Sequence, residues 1–498
     1  MTEPSRLNVL FIAAEAEPLI KVGGLGDVAG SLPRALSELQ APSILGTAQL
    51  DVRLVIPDHP GIRKDLYPTR MAAEFTIHRK DGNLLTRAYA LDLDGLRIYL
   101  IGGAPIEQES GVYSADLEAD SYKYVFFSLA TLGLARRLAW KPDILHANDW
   151  HTSAAVYSLA LNRSTDPFFR HTASLLTIHN LPYLGAMTGP ALEAFDLPAA
   201  ETTSLPAWAG HMALPLGLLT ADSIVAVSPG YAREIMTDAF GSGLQAFLRT
   251  QSSKVSGILN GLDTRKWDPA ADIELAADYS ITNLTNRSLN KVFLQRQLSL
   301  EENPSLPLLA MVTRMDPQKG VDLAIEALRA LLSSPPANSF HLQAVFLGTG
   351  NPVLEQSVRR LELDFPDQIR ARITYDERLS RHLYAGADIL LMPSRYEPCG
   401  LSQMIAMRYG CIPIAHATGG LSDTIQDPIE TENSTGFLFK PVSSKALADA
   451  IRRAVNTFTG DPLAWQAMQI RGMQRDFSWQ RSALEYLHQY KLLLDQRK

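Results

Sequence analysis

Several short segments of the 498-residue chain combine cations, carboxylates, histidines and glycines at spacings that could do chemistry. Lys21-Val22-Gly23-Gly24-Leu25-Gly26-Asp27 follows an apolar run and opens a helical pattern. Glycines let the backbone come close to a ligand, a helix start offers N–H groups, and Lys21 adds a positive charge, so a diphosphate suits this loop. The rival is a dinucleotide-binding turn, because Gly24-x-Gly26-x-x-Ala29 fits that loose glycine pattern, but it leaves Lys21 without a purpose. Arg314-Met315-Asp316-Pro317-Gln318-Lys319-Gly320 places two cations about a proline turn, where both can converge on a leaving group with two negative charges. In Ser394-Arg395-Tyr396-Glu397-Pro398-Cys399-Gly400-Leu401, Glu397 precedes what reads as a proline-started helix, whose dipole would hold the carboxylate ionised. The N–H groups of Cys399, Gly400 and Leu401 would then face a polar ligand beside it.

Thr418-Gly419-Gly420-Leu421 repeats the strand–glycine–helix pattern and could bind oxygens of the same ligand. Ala147-Asn148-Asp149-Trp150-His151 and Thr177-Ile178-His179-Asn180-Leu181 put Asp149, His151, His179 and Asn180 at the ends of two adjacent strands. Such groups make sugar-hydroxyl or acid–base contacts.

The elements that must position these residues are short apolar runs alternating with helical patterns. The runs fall at 7–13, 52–56, 97–101, 143–147, 174–178, 223–227 and 255–259, then at 308–313, 341–347, 372–374, 388–392 and 411–415. Buried strands separated by helices predict parallel sheets covered on both faces. Two such series predict an α/β chain of two doubly wound domains, with residues 1–255 in the first and 256–477 in the second. Turn residues cluster at 256–265, where the chain would pass between them. Residues 478–498 read as a terminal amphipathic helix with Leu484, Leu487, Lys491 and Leu494 on its docking face. Ligands of open α/β sheets bind beyond the carboxyl ends of strands, and the segments above all fall there, as do Asn260 and Tyr375. The reading is an enzyme whose site lies in a cleft between two domains.

Other readings are excluded. Lys and Arg total 46 against 53 Asp and Glu, a net charge of −7, so nucleic acid and anionic lipid are not expected partners. Asp92-Leu93-Asp94 resembles a metal-binding pair, but Asp94-Gly95 is a hairpin-turn signal. There is no P-loop, no His-Glu-x-x-His and no Cys/His metal spacing, so no metal and no cofactor are expected. The two cysteines, Cys399 and Cys411, and the lack of a long apolar run or signal-like start fit a cytoplasmic protein away from membranes. Oligomeric state leaves no trace in the sequence.

Taken together, KVGGLGDVAGSLP, HANDWHTS, TIHNL, VSPGYAREI, GILNGLD, TRMDPQKG, PSRYEPCGLSQMIAMRYG and TGGLSDT resemble, in order, the motifs of the bacterial glycogen synthase and plant starch synthase family. These are retaining glycosyltransferases of the GT-B fold, built of two Rossmann-like domains. The resemblance implies ADP-glucose as donor and the non-reducing end of an α-1,4-glucan as acceptor. It implies that Lys21, Gly23 and Gly24 contact the diphosphate, with Asp27 in the same loop, and that Arg314 and Lys319 neutralise the departing ADP. Glu397 would orient the glucosyl hydroxyls or stabilise the oxocarbenium-like transition state, with His179 beside the anomeric carbon. Asp149, His151, Asn180 and Asn260 would bind sugar, Tyr375 would lie near the adenine, and Cys399, Gly400, Leu401, Thr418, Gly419 and Gly420 would wall the donor site. The terminal helix would cross back onto the first domain, leaving a hinge near 256–265.

The sequence departs from the family pattern in places. Val22 replaces the usual Thr, and residues 40–50 read as an insertion; Ile405, where many relatives carry a second Glu, is as expected for the bacterial and plant branch. Pro215 stands where a Lys is usual, and the stretch after TIHNLPY diverges. Both of the last two changes fall on the acceptor side. A UDP-glucose donor or another acceptor is thus the nearest rival. A nucleotide-sugar epimerase and a non-catalytic glucan-binding relative rank below it.

Overall fold

The computed structural model describes residues 6–41, 44, 49–333 and 341–497; most of the 40–50 segment read above as an insertion lies outside them. Two compact units appear. One runs up to Gly261 and takes in the chain again from Ser478, and the other is Leu262–Phe477.

The first unit is built on nine strands: β1 (Arg6–Ile12), β2 (Gln49–Pro57), β3 (Arg70–Ile77), β4 (Leu84–Leu93), β5 (Leu96–Gly102), β6 (Ile144–Asn148), β7 (Ala173–Ile178), β8 (Ser223–Ala226) and β9 (Val255–Gly257). Their order is β3-β4-β5-β2-β1-β6-β7-β8-β9. From β5 to β9 every pairing is parallel. β6 and β7 are buried along their whole length, as strands covered on both faces must be.

The expectation of wholly parallel sheets needs correction at one edge. β3, β4 and β5 form an antiparallel meander. Its β4–β5 turn is Asp94-Gly95, both with positive φ (48° and 79°), the geometry that lets a two-residue turn match strand twist. Asp92 and Asp94 therefore belong to a hairpin and not to a metal site. β3 and β4 escaped the reading of apolar runs because their outer positions alternate with exposed residues such as Glu74 and Thr76.

The second unit carries β10 (Leu308–Val312), β11 (Gln343–Leu347), β12 (Ile369–Arg372), β13 (Ile389–Met392), β14 (Ile412–His416) and β15 (Phe437–Phe439) in the order β12-β11-β10-β13-β14-β15. All five pairings are parallel. The run at 372–374 is not the strand; β12 lies earlier, because Ile369 and Ala371 are the residues that turn into the core. β15 is too short to read as a run. Leu309, Met311, Phe346, Leu391 and Ile414 from the sheet meet Val321, Leu328 and Ile451 from flanking helices in one apolar core.

The terminal helix Trp479–Asp495 packs in the first unit, with Tyr490 Oη 2.7 Å from His146 Nδ1 on β6 and Ser482 Oγ donating to the Leu259 carbonyl at 2.7 Å. Its buried face is Trp479, Ser482, Ala483, Tyr486, Leu487, Tyr490 and Leu493. The predicted face is thus off by a fraction of a turn. Leu487 is buried, but Leu484 is 38% exposed and Lys491 also faces solvent. The reason is that Tyr486 and Tyr490, together with Leu487 and Leu493, carry the stripe. Gly261, where the chain leaves the unit, allows this packing, since a Cβ there would sit 2.6 Å from the Trp479 Cα.

Candidate functional site

In the first unit the predicted residues gather at the carboxyl ends of β1, β6 and β7. Asp149 follows β6 with φ +57°, a left-handed conformation that a non-glycine residue adopts only when its surroundings demand it. The demand is visible: its carboxylate accepts the backbone N–H of His179 at 2.7 Å and of Asn180 at 3.4 Å, tying the end of β6 to that of β7. Burial pushes the Asp149 carboxyl up to about 7, against those two N–H bonds, which lower it. It is the group here best placed to change protonation near neutrality.

Both histidines are neutral. Burial lowers His179 to about 3 and holds His151 well below the usual imidazole range. His179 Nε2 pairs with Asn148 Oδ1 at 2.9 Å. His151 is packed among the rings of Trp150, Tyr124 and Tyr113, at 4.2, 4.5 and 5.1 Å between centroids. Its Nδ1 is buried without a hydrogen bond, as are Asn180 Oδ1 and Asn260 Oδ1. Buried polar atoms left open in this way are what a hydroxyl-rich ligand can satisfy.

The glycine-rich loop differs from the expectation in one respect. The N–H groups of Val22 and Gly23 are not bare: both donate to the carboxylate of Glu15, the Gly23 bond at 3.1 Å. The helix Gly24–Glu38 begins just beyond, and a Cβ on Gly24 would meet nothing within 4 Å. Lys21 Nζ pairs with Asp27 at 2.6 Å and with Glu17 at 3.3 Å. Burial pushes Asp27 up to about 6 although Lys21 lowers it. The cation is therefore paired with carboxylates of its own unit and not bare.

In the second unit the centre is the ends of β10 and β13. A small cavity of about 70 Å³ is lined there by Thr313, Lys319, Ser394, Glu397, Gly400 and Leu401. Lys319 Nζ reaches both Glu397 oxygens, at 2.7 and 2.9 Å, and Ser394 Oγ donates to Glu397 Oε2 at 2.9 Å. The predicted source of the carboxylate's stabilisation is corrected by this geometry. The helix starts at Ser402, not at Pro398, and residues 393–401 form an irregular segment. Lys319, rather than a helix dipole, answers the charge on Glu397. Gly400 at φ +73° opens the turn, and Gln403 holds it by donating to the Cys399 and Gly400 carbonyls at 3.1 and 3.0 Å.

Thr418 and Gly419 open the next helix, and Gly420 in its first turn packs on the same segment. The Gly420 N–H donates to the Glu397 carbonyl at 3.1 Å, and a Cβ on Gly420 would lie 2.1 Å from the Cys399 carbonyl oxygen. Cys399 is buried in that contact. Arg314, after β10, is exposed, and no hydrogen bond or ion pair joins its side chain to a described residue. Tyr375, after β12, is 82% exposed. Lys319 and Glu397 are thus brought together, whereas Arg314 and Tyr375 stand open to a ligand. Among the described residues no group of three or more His, Cys, Asp or Glu side chains is set to hold a metal ion, and no helix is long and apolar enough to cross a membrane.

Reading the sequence placed Glu15 and Ser394 in segments at strand ends but gave them no role, and it missed Tyr113. Glu15 and Ser394 were within reach, each a polar residue just past a strand and beside a motif. Tyr113, whose hydroxyl donates to Glu15 Oε1 at 3.0 Å, lies 98 residues away in a stretch without a motif.

Comparison with known proteins fits this arrangement. The family described as starch synthase catalytic domain matches residues 8–250, and glycosyl transferases group 1 matches residues 296–457. A glycogen synthase of Anaeromyxobacter sp. (strain Fw109-5) is 39% identical over 98% of this chain and 99% of its own. Glycogen synthase 2 of Nitrosococcus oceani is 38% identical over 98% of each. Among solved structures, the catalytic domain of starch synthase IV from Arabidopsis thaliana, bound to ADP and acarbose, superposes with a TM-score of 0.85 at 30% identity, covering 99% of this chain and 100% of that one. Two Rossmann-like units, with these matches, define a glycosyltransferase of the GT-B fold. Within that class, the chain belongs to the glycogen synthase family, whose members act on nucleotide-sugar and glucan substrates.

Proposed function

We propose that this protein, working in the cytoplasm, transfers glucose from ADP-glucose to the 4-hydroxyl at the non-reducing end of an α-1,4-glucan, with retention of configuration. The bond between the anomeric carbon and the diphosphate oxygen breaks, and a bond from that carbon to the acceptor oxygen forms. The acceptor's proton leaves with the departing ADP. The observation that best supports the reading is the Lys319–Glu397 pair in its small cavity. A cation beside a leaving diphosphate stabilises the charge that develops there, and a carboxylate beside the sugar stabilises the opposite charge at the anomeric carbon.

In this reading Arg314 turns from solvent onto the diphosphate, and Lys319 exchanges part of its contact with Glu397 for phosphate oxygen. Lys21 leaves Asp27 for the same anion, with Gly23 and Gly24 beside it. Glu397 then orients the glucosyl hydroxyls, next to the wall formed by Cys399, Gly400, Leu401 and the Thr418–Gly420 turn. Tyr375 takes the adenine. His179 offers its carbonyl or neutral ring to the anomeric carbon, and Asp149, His151, Asn180 and Asn260 hold sugar hydroxyls. Fixed cations do the work often given to a metal, so none is invoked. The test is to mix purified protein with ADP-glucose or UDP-glucose, with and without glycogen, and to measure released nucleotide and glucan length. Glycogen-dependent release of ADP is expected; its absence would sink the proposal, and preference for UDP-glucose would change the donor.

A further inference from the structure

The glycine-rich loop is braced from inside the first unit by a group that takes no part in the chemistry above. Lys123, in the second turn of the helix Leu117–Arg137, has none of its surface exposed. Its Nζ lies 2.5 Å from Asp120 Oδ1 and donates to the carbonyls of Val112 at 2.8 Å and Gly111 at 3.3 Å. The other Asp120 oxygen accepts the Ser114 N–H at 2.9 Å, and the Tyr124 hydroxyl donates to the same Val112 carbonyl. One helical turn therefore grips the backbone of residues 111–114 on both sides of Tyr113. Tyr113 extends from that grip to Glu15, and Glu15 accepts the N–H groups of Val22 and Gly23, the two residues that follow Lys21.

Core packing alone does not call for this arrangement. A buried ion pair is a weak source of stability, because removing two charges from water costs much of what their attraction returns. The turn ends at Gly23, and the helix after it opens with Gly24 and Gly26, residues of poor helix propensity, with no side chain capping its start, so the junction gains from a fixed partner that holds the N–H groups of Val22 and Gly23. We propose that Lys123 is a positioning residue for glucosyl transfer: with Asp120 it fixes Tyr113, which fixes Glu15, which fixes the glycine-rich loop. The inference rests on the donor chemistry proposed above, but part of its test does not.

Hydrogen exchange and steady-state kinetics on the full chain, comparing wild type, Lys123→Met, Glu15→Gln and the double variant, decide it. In Lys123→Met the amides of Val22 and Gly23 are expected to exchange at least about tenfold faster while those of the helix Leu117–Arg137 stay protected. The KM for ADP-glucose is expected to rise about fivefold or more, with kcat at saturating donor changed less. The double variant is expected to be no worse than the worse single, since both act through one path. Unchanged exchange at Val22 and Gly23, an unchanged KM in a folded variant, or additive losses would each overturn the idea. If Glu15→Gln instead lowers the KM, Glu15 merely blocks the loop, and the proposal fails. Should Lys123→Met not fold, Asp120→Asn, of the same shape and still able to accept from Ser114, is read by the same criteria. A wild type that releases no ADP would fail the functional reading, while the exchange measurement would still judge the brace.

Discussion

Glu397 accepts from Lys319 with both of its oxygens, so replacing it by Gln keeps the shape, removes the charge and turns one of those acceptors into a donor. If that charge serves the transition state, Glu397→Gln should lower kcat by about a hundredfold or more and leave the KM for ADP-glucose within about threefold. A variant with a raised KM and an intact kcat would make Glu397 a binding group only. The same reliance on fixed cations predicts that prior treatment with a chelator leaves the rate unchanged; a loss restored by a divalent ion would contradict it. Asp149 offers a different handle. Burial raises its carboxyl from 3.8 to about 7, so the folded chain keeps a proton that the unfolded chain releases near 4. A raised carboxyl contributes stability that is fully present below the unfolded value and is lost as pH climbs toward the folded one. Asn matches Asp in shape, and its Oδ1 can accept the same two N–H groups. Asp149→Asn should therefore gain on wild type between pH 5 and 7 by about 1 kcal/mol per pH unit, read as the difference between their Tm–pH curves. Only the difference is informative, because Glu15 and Asp27 are shifted in the same direction. Parallel curves would refute the assignment.

At the scale of elements, the parallel strands were legible because burial on both faces makes them uniformly apolar, as β6 and β7 show. The antiparallel edge was not, because a strand with one wet face carries residues such as Arg70 and Glu74 that break the run. The site followed the same rule. Motifs beside strand ends brought out Lys319, Glu397 and Asp149, whereas Tyr113 reaches Glu15 through a fold that no local pattern encodes. The helix starting at Trp479 shows how finely a periodic pattern must be read. Leucine spacing alone put Leu484 on the docking face, yet the tyrosines at 486 and 490 rotate that face. Leu487→Ala should then cost about 2–4 kcal/mol through the cavity it leaves, and Leu484→Ala about 0.5 kcal/mol or less. Chemical denaturation of the two variants checks this, and equal losses would restore the leucine face.

At the scale of the whole molecule, the units differ in how the chain closes them. The second is one continuous stretch, Leu262–Phe477, with its own six-stranded sheet and core. The first is interrupted: its last helix arrives only after the chain has made the whole of the other unit. That helix covers His146, whose Nδ1 meets Tyr490 at 2.7 Å, and Arg497 at its end pairs with Asp222 at 2.6 Å. A fragment ending at Gly261 would expose the apolar and aromatic surface that Tyr486, Leu487 and Leu493 bury. The two crossings lie side by side, since the Leu262 N–H donates to the Phe477 carbonyl at 2.6 Å. A linker of a few residues can therefore join Gly261 to Ser478. Residues 262–477 expressed alone are expected to fold cooperatively, and so is the first unit rejoined across that short gap. The first unit cut at Gly261 is expected to aggregate or to melt at least about 10 °C lower than the rejoined form. Circular dichroism melts of the three proteins decide it. If the cut form is as stable as the rejoined one, the terminal helix is an accessory and the first unit's core closes without it.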